Sequence, residues 1–127
     1  MTKKMLIVED EETVLTLLST IFSFFKEYEI LLARDGEEAF RIVREDIPDI
    51  ILLDIQLPKM NGYELCKVVK SDTTMSHTKV LMLSGMAQES DLQKAQEAGA
   101  DACMTKPFSA RAVVEKVEEL LKSNKSG

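Results

Sequence analysis

Ile50-Ile51-Leu52-Leu53-Asp54 is a run of four apolar residues closed by a carboxylate. A run this short, with no polar face, reads as a strand of a parallel sheet covered by helices on both sides. Met5-Leu6-Ile7-Val8, Val80-Leu81-Met82-Leu83 and the weaker Ala102-Cys103-Met104-Thr105 have the same character. A fifth run, Glu29-Ile30-Leu31-Leu32-Ala33, lies between the first and the central one. The intervening stretches repeat at helical spacing instead. In residues 12–25, Val14, Leu17, Leu18, Ile21 and Phe25 make a predicted buried stripe, with Thr13, Thr16, Thr20 and Ser23 opposite. Phe40 and Val43 mark a second helix over 37–45, and Leu65, Cys66 and Val69 a third. Leu92, Ala95 and Ala98 mark a fourth helix ended by Gly99. Val113, Val117, Leu120 and Leu121 mark a fifth, with Ser109 as its N-cap. Five alternations of strand and helix predict a single doubly wound α/β domain with right-handed crossovers.

Composition agrees and narrows the function. A chain of 127 residues is one domain, and 45% hydrophobic with 30% charged residues is the mix of a globular protein rather than a disordered one. Sixteen basic against twenty-two acidic residues leave a net charge of −6, which disfavours direct binding to nucleic acid. With no Trp and 6% aromatics there is no base-stacking platform either. The uncharged stretch 13–25 is too short to span a membrane, which takes about 20 residues. Two separated cysteines, Cys66 and Cys103, suit a reducing compartment, and a cytoplasmic location is expected. Residues 1–122 are expected to form the domain, and 123–127 a flexible tail or the stub of a linker.

In such a sheet, ligands gather beyond the carboxyl ends of the strands. The first run ends in Glu9-Asp10-Glu11-Glu12, the central one in Asp54, the fourth in Ser84-Gly85 and the last in Lys106-Pro107. Each has a plain structural explanation. Glu11 and Glu12 suit the positive end of the first helix, Ser84 a helix entry and Lys106 a solvated surface. Glu9-Asp10 divides evenly between capping and ligand binding. Asp54, closing an apolar run beside the loop that holds Pro58, is costly without a partner. Carboxylates, a hydroxyl and an ammonium converging from four strands outweigh these separate explanations.

Over essentially its whole length the chain resembles the receiver domains of two-component response regulators. The resemblance is carried by Leu6-Ile7-Val8-Glu9-Asp10, by residues 50–62 from Ile50 through Asp54 to Asn61-Gly62, and by residues 99–108 around Lys106-Pro107. It implies a flavodoxin-like five-stranded sheet of order 2-1-3-4-5. It also implies Asp54 as phosphoryl acceptor, and Glu9, Asp10, Asp54 and the Gln56 carbonyl as the Mg²⁺ ligands. Ser84 and Lys106 would bind the phosphoryl oxygens, and the Lys106–Pro107 bond would be cis. The donor would be a phosphohistidine on a sensor histidine kinase or His-phosphotransfer protein. The lone His77, in the polar stretch Ser76-His77-Thr78-Lys79, reads as a surface residue. Such a domain is a phospho-switch rather than an enzyme, although it promotes its own phosphorylation and dephosphorylation. Its output would be a downstream effector protein or a missing output domain, and the chain reads as a stand-alone regulator or the front of a longer one. Physical chemistry agrees with the metal: clustered carboxylates repel one another unless a cation joins them, and Mg²⁺ prefers oxygen ligands.

One position departs from the family pattern. Cys103 stands three residues before Lys106, where a bulky aromatic is usual, so either another side chain such as Met86 or Met104 is expected to fill the vacated space or the switching response is expected to be weaker. Gly85 is expected to leave an acyl phosphate open to water and short-lived. The helix-four to helix-five face, the family's partner surface, mixes Lys94, Arg111 and Lys116 with Asp91, Glu97 and Glu115. Three other functions stay in view. A phospho-independent interaction module would keep the fold alone. An aspartyl-nucleophile hydrolase would want its nucleophile after the first strand and a second Asp where Gln56 stands. A flavodoxin would want a phosphate cradle where the first loop carries four acids.

Overall fold

The computed structural model of the 127-residue chain describes residues 2–57, 60–85 and 89–122. Chain order is β1 (Lys3–Val8), α1 (Glu12–Ser23), β2 (Tyr28–Ala33), α2 (Gly36–Asp46), β3 (Ile50–Asp54), α3 (Gly62–Ser71), β4 (Lys79–Ser84), α4 (Glu89–Glu97), β5 (Ala102–Thr105) and α5 (Ala110–Lys122). All strand pairs are parallel and the sheet order is β2-β1-β3-β4-β5. The expected flavodoxin-like α/β fold is therefore the observed one. Residues 123–127 lie outside the described residues, and with them the expected tail.

The three central strands explain the apolar runs. Met5 to Val8, Ile50 to Leu53 and Val80 to Leu83 are all fully buried, because helices cover both faces. Successive side chains alternate between two cores. Leu6, Val8, Ile51, Leu53, Val80 and Met82 pack with α2, α3 and α4, while Met5, Ile7, Ile50, Leu52, Leu81 and Leu83 pack with α1 and α5. Each such Leu, Ile or Val contributes about 2 kcal/mol of burial, so the strands cannot slip by one residue without exposing both sets.

Helix ends follow local chemistry. Asp35 Oδ1 accepts from the Glu38 amide at 2.8 Å, Asn61 Oδ1 from Tyr63 at 2.7 Å and Ser109 Oγ from Ala112 at 3.0 Å. Glu38 reaches back to the Arg34 amide at 2.8 Å, which stiffens the entry to α2. Gly99, at φ 93°, takes the left-handed turn after α4 that was expected of it. Ile47 adopts the same region at φ 45° without being a glycine, a local strain of about 1 kcal/mol at the end of α2. The Lys106–Pro107 bond is cis, as expected.

Three expectations are corrected. The buried face of α1 is Leu15, Leu18 and Phe22; Val14, Ile21 and Phe25 flank it half-buried, and Leu17 is 50% exposed. The apolar side of α1 is wider than the face it buries, so spacing alone does not choose the face. Glu11 occupies the N-cap of α1 but makes no side-chain capping hydrogen bond. Leu92, expected in the α4 stripe, is exposed, and Ala95 and Ala98 make the contact instead.

Candidate functional site

Register brings the predicted site residues to one edge. Val8 is level with Leu53, Asp54 with Leu83, and Ser84 with Thr105, so Glu9, Asp54, Ser84 and Lys106 emerge at successive strand ends. A carboxylate oxygen from each of Glu9, Asp10 and Asp54 lies within 4.8 Å of the other two. Glu9 is completely buried, Asp54 and Ser84 nearly so, and Asp10 is exposed. Lys106 Nζ donates to Glu9 Oε1 at 2.8 Å and stands 3.6 Å from Asp54 Oδ1.

Backbone amides fix the carboxylates. The Glu11 amide donates to Glu9 Oε2 at 3.2 Å, and the Gln56 amide to Asp54 Oδ1 at 3.3 Å. Ile55, between Asp54 and Gln56, is held on both sides: its amide donates to Leu83 O at 3.2 Å, and its carbonyl accepts from the Gly62 amide at 2.9 Å. The Lys106 amide donates to Ser84 O at 2.6 Å, tying β4 to the lysine. The cleft over the cluster, about 450 Å³, is lined by Asp10, Glu11, Asp54, Gln56, Leu57, Gly85 and Lys106. Of these, Glu11 and Leu57 were not singled out as site residues; no local pattern marks them, because their place depends on how the loops fold over the strand ends.

Burial, and then the charge of Glu9, push the Asp54 carboxyl up to about 7, against the opposing pull of Lys106. Burial acts to lower the Lys106 ammonium, but its hydrogen bond to Glu9 and the charges of Asp54, Glu9 and Glu11 outweigh it and raise the pKa. Negative charge is thus in excess, and it favours the protonated form of Asp54. An all-oxygen, anionic donor set of this kind, open on one side to solvent, fits a hard divalent cation that displaces the proton.

Other expectations find their places. His77 is exposed. The Cys66 thiol is buried and pushed up to about 11, which leaves it unreactive. Cys103 is half-buried against the α2–α4 core. Met104 packs in the other core, with α1 and α5, so it cannot fill space beside Cys103; the alternation of β5 sends the two side chains to opposite faces. Met86 and Pro58 lie outside the described residues.

Residues 5–118 match the family model of the response regulator receiver domain. The chain is 41% identical over 123 residues to the alkaline phosphatase synthesis transcriptional regulatory protein PhoP of Bacillus subtilis, covering 96% of this chain and 50% of that protein. It is 35% identical to the polar-differentiation response regulator DivK of Brucella ovis, covering 95% of this chain and 98% of that one. A CheY-like response regulator receiver domain protein from Methanospirillum hungatei superposes with a TM-score of 0.90 at 30% identity, over 99% of this chain and 98% of the other. The chain thus spans about half the length of PhoP and nearly all of DivK. By sequence match, strand order and the acidic cluster at the strand ends, this chain belongs to the receiver domains of two-component response regulators, the signalling modules of phosphorelays.

Proposed function

We propose that Asp54 is the phosphoryl acceptor of this receiver domain, with Glu9, Asp10, Asp54 and the Gln56 carbonyl holding Mg²⁺. The observation that carries the reading is the buried Asp54 carboxylate gathered with two other acids and 3.6 Å from Lys106 Nζ. An Asp54 oxygen attacks the phosphorus of a phosphohistidine on a sensor histidine kinase or His-phosphotransfer protein. The new O–P bond forms as the N–P bond breaks, and the imidazole leaves with a proton. When bound, Mg²⁺ supplies positive charge that keeps Asp54 ionised and neutralises the transferring group.

The chain's own residues do the rest. The Gln56 amide orients one Asp54 oxygen and leaves the other to attack. The phosphoryl group brings a charge of about −1.5 to −2 to the edge, drawing the Lys106 ammonium from Glu9. The Ser84 hydroxyl donates to a phosphoryl oxygen and couples the site to the chain after β4. Water later attacks the phosphorus, the acyl O–P bond breaks, and inorganic phosphate leaves with Asp54 restored. The domain thereby promotes both its own phosphorylation and its reset, in the cytoplasm, with a downstream effector or an output domain as the recipient of the switch. In this reading 1–122 is the receiver unit.

Beryllofluoride with Mg²⁺, a phosphoryl mimic, tests the switch. Amide resonances at Ser84, Gly85 and Lys106 are expected to shift, and to stay put in Asp54→Asn. Unshifted resonances in the parent protein would favour the phospho-independent interaction module.

A further inference from the structure

We propose that Gly62 and Gly36 are positioning residues for phosphoryl acceptance, clamping the backbone that carries Asp54 and Gln56 from two helices; this rests on Asp54 being the acceptor. Gly62 is the first residue of α3. A Cβ placed there would stand 2.7 Å from Asp54 O and 2.9 Å from Ile55 Cα. Both atoms are main chain and cannot swing aside. Gly62 does not have a left-handed φ, so what its position demands is space rather than backbone freedom. The same residue donates its amide to Ile55 O at 2.9 Å. Contact and hydrogen bond together press the start of α3 onto the peptide that sets the Gln56 amide, and that amide orients Asp54 Oδ1 at 3.3 Å.

Gly36 acts one step further out, on Met60 and not on the backbone of residues 54–56 itself. It opens α2, and a Cβ there would collide with Met60 Cβ and stand 2.9 Å from both Met60 Cα and Met60 O. Met60 lies two residues before Gly62, so the N-termini of α2 and α3 together limit where the chain returning from Asp54 can run. The acceptor's orientation is therefore set by close packing at Gly36 and Gly62, on two different helices, as well as by its own neighbours.

The test compares Gly62→Ala and Gly36→Ala with the parent and with Val117→Ala, which thins the α1–α5 core far from the loop. Three readouts are taken where each variant is fully folded: Mg²⁺ affinity, the rate of ³²P uptake from acetyl phosphate at saturating Mg²⁺, and melting temperature. Displacement of a reacting group by about 1 Å costs up to about a hundredfold in rate. Gly62→Ala is expected to lose about tenfold or more in both affinity and uptake, and Gly36→Ala a smaller part of each. Val117→Ala should lose melting temperature alone. If Gly62→Ala fails to fold, Gly36→Ala decides by the same readouts. Parent-like affinity and uptake in the folded glycine variants would overturn the clamp. Uptake equal in the parent and in Asp54→Asn would instead overturn the acceptor reading beneath it.

Discussion

The two edges of the sheet use the same kinds of side chain to opposite ends. At the amino edge, Lys70 pairs with Asp101 at 2.8 Å and Lys79 lies 3.9 Å from it, two ammoniums against one carboxylate. Main-chain groups complete that network: Lys70 donates to Thr78 O at 2.7 Å, and Asp101 accepts from the Val80 amide at 2.8 Å. At the carboxyl edge three carboxylates gather, Lys106 lies against two of them, Glu9 and Asp54, and burial with the charge of Glu9 pushes the Asp54 carboxyl up to about 7. One edge is closed by its own chain. The other carries surplus charge that a cation or a phosphoryl group resolves, and this difference separates a structural ion pair from a poised site.

The largest expected effect reverses sign between the edges. In metal-free protein the folded-state pKa of Asp54 lies above its unfolded value, so the group stabilises the fold below about pH 4 relative to higher pH. That stability drains away as pH rises through about 7. Urea melts of the metal-free protein between pH 4 and 8 should show that slope, and it should flatten in Asp54→Asn or with saturating Mg²⁺. Asp54→Asn should therefore stabilise the metal-free protein at pH 8. Removing a carboxylate at the other edge should do the reverse: Asp101→Ala strands two partly buried ammoniums and should cost about 2–3 kcal/mol in the same melts. Phosphoryl uptake by that variant should match the parent.

A smaller effect probes how open the carboxyl edge is. A Cβ at Gly85 would meet nothing within 4 Å, and this exposed residue lines the cleft beside Asp54. Gly85→Val should partly screen an acyl phosphate from water and slow loss of ³²P label several-fold. An unchanged decay would mean that water reaches the phosphorus by another side of the cleft.

The contrast also explains what was legible in the sequence. β1, β3 and β4 stood out because full burial on both faces leaves no polar residue among their apolar positions. Site residues stood out because they close a strand (Asp54, Ser84) or follow one directly (Glu9, Lys106), where parallel topology collects them. The buried face of α1 was misplaced by about one position, since Val14, Leu15, Leu17 and Leu18 offer competing stripes and only the angle at which the helix meets the sheet selects Leu15, Leu18 and Phe22. Adjacent acids looked equivalent, yet Glu9 is buried on Lys106 and Asp10 is exposed; both lie beyond the last residue of β1, where the turn into α1 and not strand pairing places them. Strand alternation separates Cys103 from Met104 and was readable in advance. The closeness of Gly62 to Asp54 was not, since it depends on how the chain returns through space after β3.

Phosphoryl uptake at a single side chain is the most direct measurement. The protein is incubated with ³²P-acetyl phosphate, with and without Mg²⁺, alongside Asp54→Asn. A label that is alkali-labile, confined to the peptide containing Asp54, dependent on Mg²⁺ and lost in Asp54→Asn is the predicted result. Equal labelling of Asp54→Asn, or uptake indifferent to Mg²⁺, would contradict a metal-assisted aspartyl acceptor at the end of β3.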